Sequence, residues 1–182
     1  MKLHHSLLAT AALLACLGAQ AQTVSITPAV SGVNVGDTFS VDIGATGFPD
    51  KIFGGGYNLA FDPTMLQLDG ISFPANWEFL TSTGLLDAAS GTVSDIFFNT
   101  FAAPIKGDFL TASLKFRAIG VGTSAITLSE SVSFPFGDEF ANAVPVTFVG
   151  ASVTAAIPEP ISLALLLGGL GCVTWVARRR QA

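Results

Sequence analysis

The chain has 182 residues, half of them hydrophobic and 12% charged, with a formal net charge of -5. The apolar residues concentrate at the two ends, and residues 22–157 between them carry twelve acidic against four basic side chains, a formal charge of -8. A middle of that length can bury a core without disulfide staples, and its four cations, Lys51, Lys106, Lys115 and Arg117, form no basic run, which excludes a surface that tracks nucleic-acid phosphates.

At the N-terminus, Lys2 precedes a short apolar core from Leu7 to Leu17, and Ala19 and Ala21 supply small residues on either side of Gln20. This is the layout of a secretory signal peptide over residues 1–21, cleaved after Ala21. The apolar run is short for a membrane span. Leu13-Leu14-Ala15-Cys16 offers a lipoprotein-type alternative, but Leu14 is bulky for its place and the Ala-x-Ala site is good.

From Thr23 to Thr154 no helical periodicity is sustained. Val24, Ile26 and Pro28 open a series of short alternating runs. After a turn at Val35-Gly36-Asp37-Thr38, Phe39, Val41 and Ile43 alternate with polar or small residues, the period of a half-buried strand. Gly54-Gly55-Gly56 leads into Tyr57, Leu59 and Phe61, and Asp62-Pro63 ends that strand because proline cannot donate to a ladder. Leu66, Leu68 and Ile71 predict a strand with a bulge near Gly70, and Trp77 to Leu80 another. Further strands are predicted over Thr92–Thr100, Phe109–Ala118, Ala125–Val132 and Val144–Val153, with a turn at Gly120-Val121-Gly122 and a short linker at Ala155-Ala156-Ile157. About nine strands at regular spacing predict a two-sheet sandwich, and fifteen phenylalanines supply its core volume.

Three segments carry a family resemblance. Val35-Gly36-Asp37-Thr38-Phe39-Ser40-Val41, then Gly56 through Leu66, then Leu114-Lys115-Phe116-Arg117-Ala118 with Thr123 to Leu128, resemble cohesin-type domains in order and spacing across residues 23–154. The resemblance implies an all-β, nine-stranded jelly-roll sandwich over residues 22–156, related to carbohydrate-binding modules. In cellulosomes such domains bind dockerins through a sheet face.

Both histidines, His4 and His5, and both cysteines, Cys16 and Cys172, lie in the end segments. The middle therefore lacks the base and nucleophile of a hydrolytic triad and the common ligands of zinc. Carboxylate chemistry is what remains. Glu78, Asp87 and Asp95 are candidates for a glycosidase-type pair, against their reading as solvated turn residues. Asp37, Asp62, Asp108 and Asp138-Glu139 sit beside Gly or Pro, where calcium finds ligands, but where an Asp more often bonds its own turn; no cofactor is expected. Trp77 and Tyr57, with Phe79, could stack on sugar rings, although a lone Trp in a sandwich usually belongs to the core. Phe134-Pro135-Phe136-Gly137 is either an exposed loop tip or the closure of one end of the sandwich.

The chain closes with Pro158-Glu159-Pro160, an uncharged apolar run from Ile161 to Ala177, and Arg178-Arg179-Arg180. Seventeen helical residues reach roughly 26 Å, enough for a thin bilayer core, and the arginines keep that end cytoplasmic. Motif, apolar stretch and arginine cluster, in this order over residues 157–182, resemble the PEP-CTERM sorting signal of Gram-negative bacteria. That resemblance implies recognition by exosortase, a membrane-embedded protease, and delivery from an inner-membrane precursor to the cell surface or extracellular matrix. The reading as a whole is a non-enzymatic binding module that adheres to a protein or polysaccharide of the envelope or matrix. A carboxylate-dependent glycan enzyme and a structural coat protein are the alternatives.

Overall fold

The computed structural model describes residues 22–158. The signal segment and the tail from Glu159 onward, including the expected membrane helix and arginine cluster, lie outside the described residues. Pro158 follows the last strand, exposed.

The described residues form strands and turns only. The strands are β1 (Thr23–Thr27), β2 (Val30–Asn34), β3 (Thr38–Ala60), β4 (Leu66–Ser72), β5 (Leu80–Ser82), β6 (Leu85–Asp87), β7 (Thr92–Asn99), β8 (Ile105–Ala118), β9 (Gly122–Glu130), β10 (Gly137–Asp138), β11 (Thr147–Val149) and β12 (Ala151–Ala156). Twelve strands replace the nine expected, for local reasons. The Phe39–Ile43 run and Tyr57 to Ala60 are parts of one long strand, so the three glycines lie inside β3 rather than before it. The run ending at Val153 is broken at Gly150 into β11 and β12, and β12 absorbs Ala155 and Ala156 from the predicted linker. Trp77 to Phe79 is not a strand; β5 begins at Leu80.

The first half of β3 pairs antiparallel with β1 on one side and β8 on the other, and β8 continues to β4. The second half of β3 pairs with β7 and β9; β7 carries β5 and β6, and β9 continues to β12 and then, in parallel, to β2. These two layers bury a single core. Val24 and Ile26, Val41 and Ile43, and Leu114 and Phe116 come from the first layer, and Tyr57 and Leu59, Val93, Ile96 and Phe98, Ile126 and Val153 from the second. Period-two alternation accounts for nearly all of these positions.

Strand β8 shows where alternation fails. Thr111 and Ala112 are both buried, because the register slips between Ile43 and Gly44 of β3. A bulge of this kind places two residues against one and reverses the facing of everything beyond it. Leu110 therefore faces outward, although alternation with Ala112, Leu114 and Phe116 would by itself turn it inward. The bulge delivers the Thr111 hydroxyl into the core, where it donates to Ile43 O at 2.8 Å and lies 3.0 Å from the Tyr57 hydroxyl. Burial raises the Tyr57 phenol well above its ordinary pKa, with Thr111 pulling it part of the way back.

Two core predictions follow from these contacts. A Cβ at Gly55 would lie 2.6 Å from the Phe136 ring, whereas one at Gly32 meets nothing within 4 Å. Gly55→Ala is expected to cost roughly 1–3 kcal/mol in urea denaturation, while Gly32→Ala leaves stability unchanged or slightly higher. Thr111→Val, which strands the Tyr57 hydroxyl, is expected to cost about 1–3 kcal/mol in the same measurement.

Candidate functional site

The outer face of the second layer is built around the Gly54-Gly55-Gly56 stretch. Any Cβ at these positions would collide with its neighbours: at Gly54 with Phe98 O at 2.3 Å, at Gly56 with Phe134 Cβ at 2.8 Å. Glycine interrupts a strand where another backbone or ring must approach closely; here β7 does so beside Gly54, and the segment Ser131–Phe136 beside Gly55 and Gly56. Phe136 is buried against Phe48, Phe98 and Phe148. Phe134 stays on the outside, stacked on Phe97 with ring centroids 4.2 Å apart. Loop tip and closure, the two readings of Phe134-Pro135-Phe136, are thus divided between its two aromatic rings.

Asp95 holds that segment in place. It adopts a left-handed backbone (φ 58°), where Asp is among the few residues tolerated. The Tyr57–Leu59 register shift is located there. Its amide donates to Asn58 Oδ1, and its carboxylate accepts from Ser131 Oγ at 2.6 Å. Ser131 Oγ in turn accepts the Phe134 amide.

Beside Phe134 the face opens into a groove of about 410 Å3, lined by Phe53, Phe97, Phe134, Asn99, Asp138 and Asn142 among others. The Asn99 Oδ1 is buried and has no hydrogen-bond partner. At the groove's edge Phe53 stacks on Phe101 at 5.9 Å, and Phe101 packs on Phe79 at 5.1 Å. Phe79, Leu80 and Phe101 are exposed, Phe101 to 70%. Leu80, Asn99 and Gly54 form one cross-strand row, so groove and exposed rings make a continuous aromatic surface at one end of the sheet.

The sugar-stacking platform expected of Trp77 and Tyr57 does not form. Trp77 is 4% exposed and Tyr57 0%. Trp77 packs against Phe98 and Phe109 and donates its indole N–H to Leu110 O at 3.0 Å. Each polar tip finds a partner inside the fold, which allows both rings to be core. The signal missed at the level of sequence was Ile96-Phe97-Phe98. Three successive apolar residues in a strand must send one to the outer face, and that residue is Phe97.

Glu78 and Asp87 are not brought together as a catalytic pair. Asp87 pairs opposite Thr92 at one end of β7, and Glu78 lies beyond its other end, accepting the amides of Phe101 and Ala102 at 2.9 Å each. The seven steps of β7 from Thr92 to Asn99 alone span roughly 23 Å, against the roughly 5–9.5 Å a glycosidase pair requires. Asp87 accepts from Ala89 and Ser90, and Asp95 is held by serines. The candidate calcium carboxylates Asp37, Asp62, Asp108 and Asp138 likewise accept backbone amides. Asp37 accepts Asn34 N, Asp62 the amide and hydroxyl of Thr64, Asp108 Gly47 N, and Asp138 the amides of Phe140 and Asn142. Glu139 lies 3.9 Å from Lys51. Among the described residues no group of three or more His, Cys, Asp or Glu could hold a metal.

A two-layer sandwich with an aromatic outer surface and dispersed carboxylates defines a class of interaction module. The comparisons with known proteins agree with that class. A family profile described as the cohesin domain matches residues 23–154, and the chain belongs to that family, whose members are non-catalytic protein-interaction modules. Among solved structures, the chain is similar to a cohesin module of a Clostridium perfringens family 33 glycoside hydrolase (14% identity, TM-score 0.64, covering 77% of this chain and 100% of that one). It is similar also to a Clostridium thermocellum cohesin solved in the Coh-OlpA–Doc918 complex (13%, 0.63, 75% and 100%). A third is a non-cellulosomal cohesin from Archaeoglobus fulgidus (15%, 0.62, 77% and 94%). At these identities the likeness concerns fold alone. No curated protein sequence matches the chain.

Glu78 provides a pH test of the aromatic corner. Hydrogen bonds from the Ala102 amide, the Thr100 hydroxyl and the Phe101 amide hold its carboxyl down at about 2, from 4.5. A depressed pKa contributes stability that is full above the unfolded value and is lost as pH falls through the folded one. The wild-type melting temperature is therefore expected to fall more steeply between pH 4.5 and 2 than that of Glu78→Gln, measured by circular dichroism across that range.

Proposed function

We propose that this chain is an exported, non-enzymatic adhesion module that binds a protein partner through the outer face of the β5–β7–β3–β9 layer. The observation that carries the reading is the exposed cluster of Phe79, Leu80 and Phe101 beside the aromatic groove. Rigid aromatic anchors next to a pocket are the usual energetic centre of a protein interface. The Clostridium thermocellum relative was solved with a dockerin-named partner, and a dockerin-like module is the partner class proposed here. A matrix polysaccharide is the weaker candidate, because Trp77 and Tyr57 are buried.

The signal peptide and the Pro158-Glu159-Pro160 tail support export and a PEP-CTERM sorting route. In this reading an exosortase-type protease processes an inner-membrane precursor, and the domain reaches the cell surface or matrix of a Gram-negative bacterium.

The test is a pull-down from the extracellular matrix of the source organism using residues 22–157, comparing wild type with Phe101→Asp and Val132→Asp. Both residues are exposed, so both variants should fold. A protein retained by wild type and by Val132→Asp, and roughly tenfold less by Phe101→Asp, is the expected result. Equal retention by all three would remove the aromatic corner as the binding surface, and a purely glycan eluate would replace the protein partner.

A further inference from the structure

The end of the sandwich opposite the aromatic corner has an apolar surface of its own. β12 ends here, with Ala155 paired to Gly122 and the Ala156 carbonyl accepting the Val35 amide. The chain leaves through Ile157, which is 70% exposed. Beside it the Gly120–Gly122 turn presents Val121, 58% exposed, next to a similarly uncovered Ile119. Ile119 and the exposed Leu86 also rim a cleft of about 340 Å3, walled by Phe61, Pro63 and Leu68. Four apolar side chains and an apolar cleft thus share the pole from which the C-terminal tail departs.

The length of chain beyond that pole limits what can cover it. Four residues, 157–160, separate β12 from the uncharged apolar run beginning at Ile161. Five extended residue steps from Ala156 to Ile161 reach no more than roughly 17 Å. The headgroup layer on each side of a bilayer is about 5–8 Å thick. With the run beginning at Ile161 placed in the bilayer core, the end of β12 stays within roughly 12 Å of the membrane surface, close enough for the pole's exposed side chains to reach it.

We infer that, while the tail is attached, this pole is seated on the lipid surface, with Val121, Ile119, Leu86 and Ile157 in the headgroup region. The inference rests on the reading of residues 161–177 as a membrane span. The carboxylates of Asp37, Asp62 and Asp87 lie at the same pole, so a zwitterionic surface suits it better than an anionic one. The aromatic corner then points away from the membrane. Tail removal would free the pole together with the domain.

The test uses the exported chain, Gln22 to Ala182, with Cys172→Ser and a single environment-sensitive fluorophore at Val121→Cys or, separately, Val132→Cys. Val132 is 93% exposed and follows the far end of β9, roughly 27 Å along the strand from Gly122. The proteins are reconstituted into phosphatidylcholine vesicles containing headgroup-spin-labelled lipid and separated by flotation. The expected result is co-flotation of both, with quenching at position 121 at least about threefold that at position 132, as for apolar groups placed in the interface. Co-flotation with equal quenching would overturn the seated pole and leave the anchor standing. Failure to float would overturn the anchor, and the seated pole with it.

Discussion

Strand β3 belongs to both layers, and the rest of the domain is arranged around that fact. Its 23 residues would run roughly 76 Å if straight, far more than one layer of a domain this size can use. The strand bends where its pairing with β8 slips, between Ile43 and Gly44, then towards Phe48 and Ile52. Before the bend it lies between β1 and β8; after it, between β7 and β9. Each layer thus takes a central strand from the same segment, and burying Val41 and Ile43 brings Tyr57 and Leu59 over them.

The bend also sets the polar requirements of the core. Tyr57 enters it with a hydroxyl that burial alone would leave unpaired, a cost comparable to that of a lost hydrogen bond. The β8 bulge supplies Thr111 as the partner and Ile43 O as the acceptor behind it. The same irregularity turns Leu110 outward, while its carbonyl accepts the Trp77 indole. Buried polar atoms and buried rings are matched here by departures from regular pairing.

Fold and proposed function meet in the polarity of the sandwich. β7 runs from the pole where the chain exits, at Thr92, to the aromatic corner at Asn99. The groove, Phe101 and Phe79 gather at the far end, held by the glycine stretch, the Asp95 clip and the Glu78 cap. A module with its anchor at one pole and its aromatic surface at the other can engage a partner while still tethered, in the arrangement proposed.

Much was legible in the sequence because it depends on local, periodic chemistry. The all-β class, most strand positions from Phe39–Ile43 to Phe109–Ala118, the Gly36 and Gly120-Val121-Gly122 turns and the bulge near Gly70 follow from alternation and turn residues, and the cohesin type follows from the resemblance of three segments to that family. Other features were not legible, because they depend on which residues meet across the chain. Alternation marks Trp77 and Tyr57 as aromatic but cannot say that Leu110 O and Thr111 wait for them in the core. Nor can it show that Gly55 and Gly56 make room for Phe136 and Phe134 from about eighty residues away. The sequence by itself determined the composition of the layers, since side-chain periodicity and turn propensity are properties of neighbouring residues. Only the tertiary structure decided which aromatic rings face outward, because that depends on bulges and close approaches between strands distant in the chain.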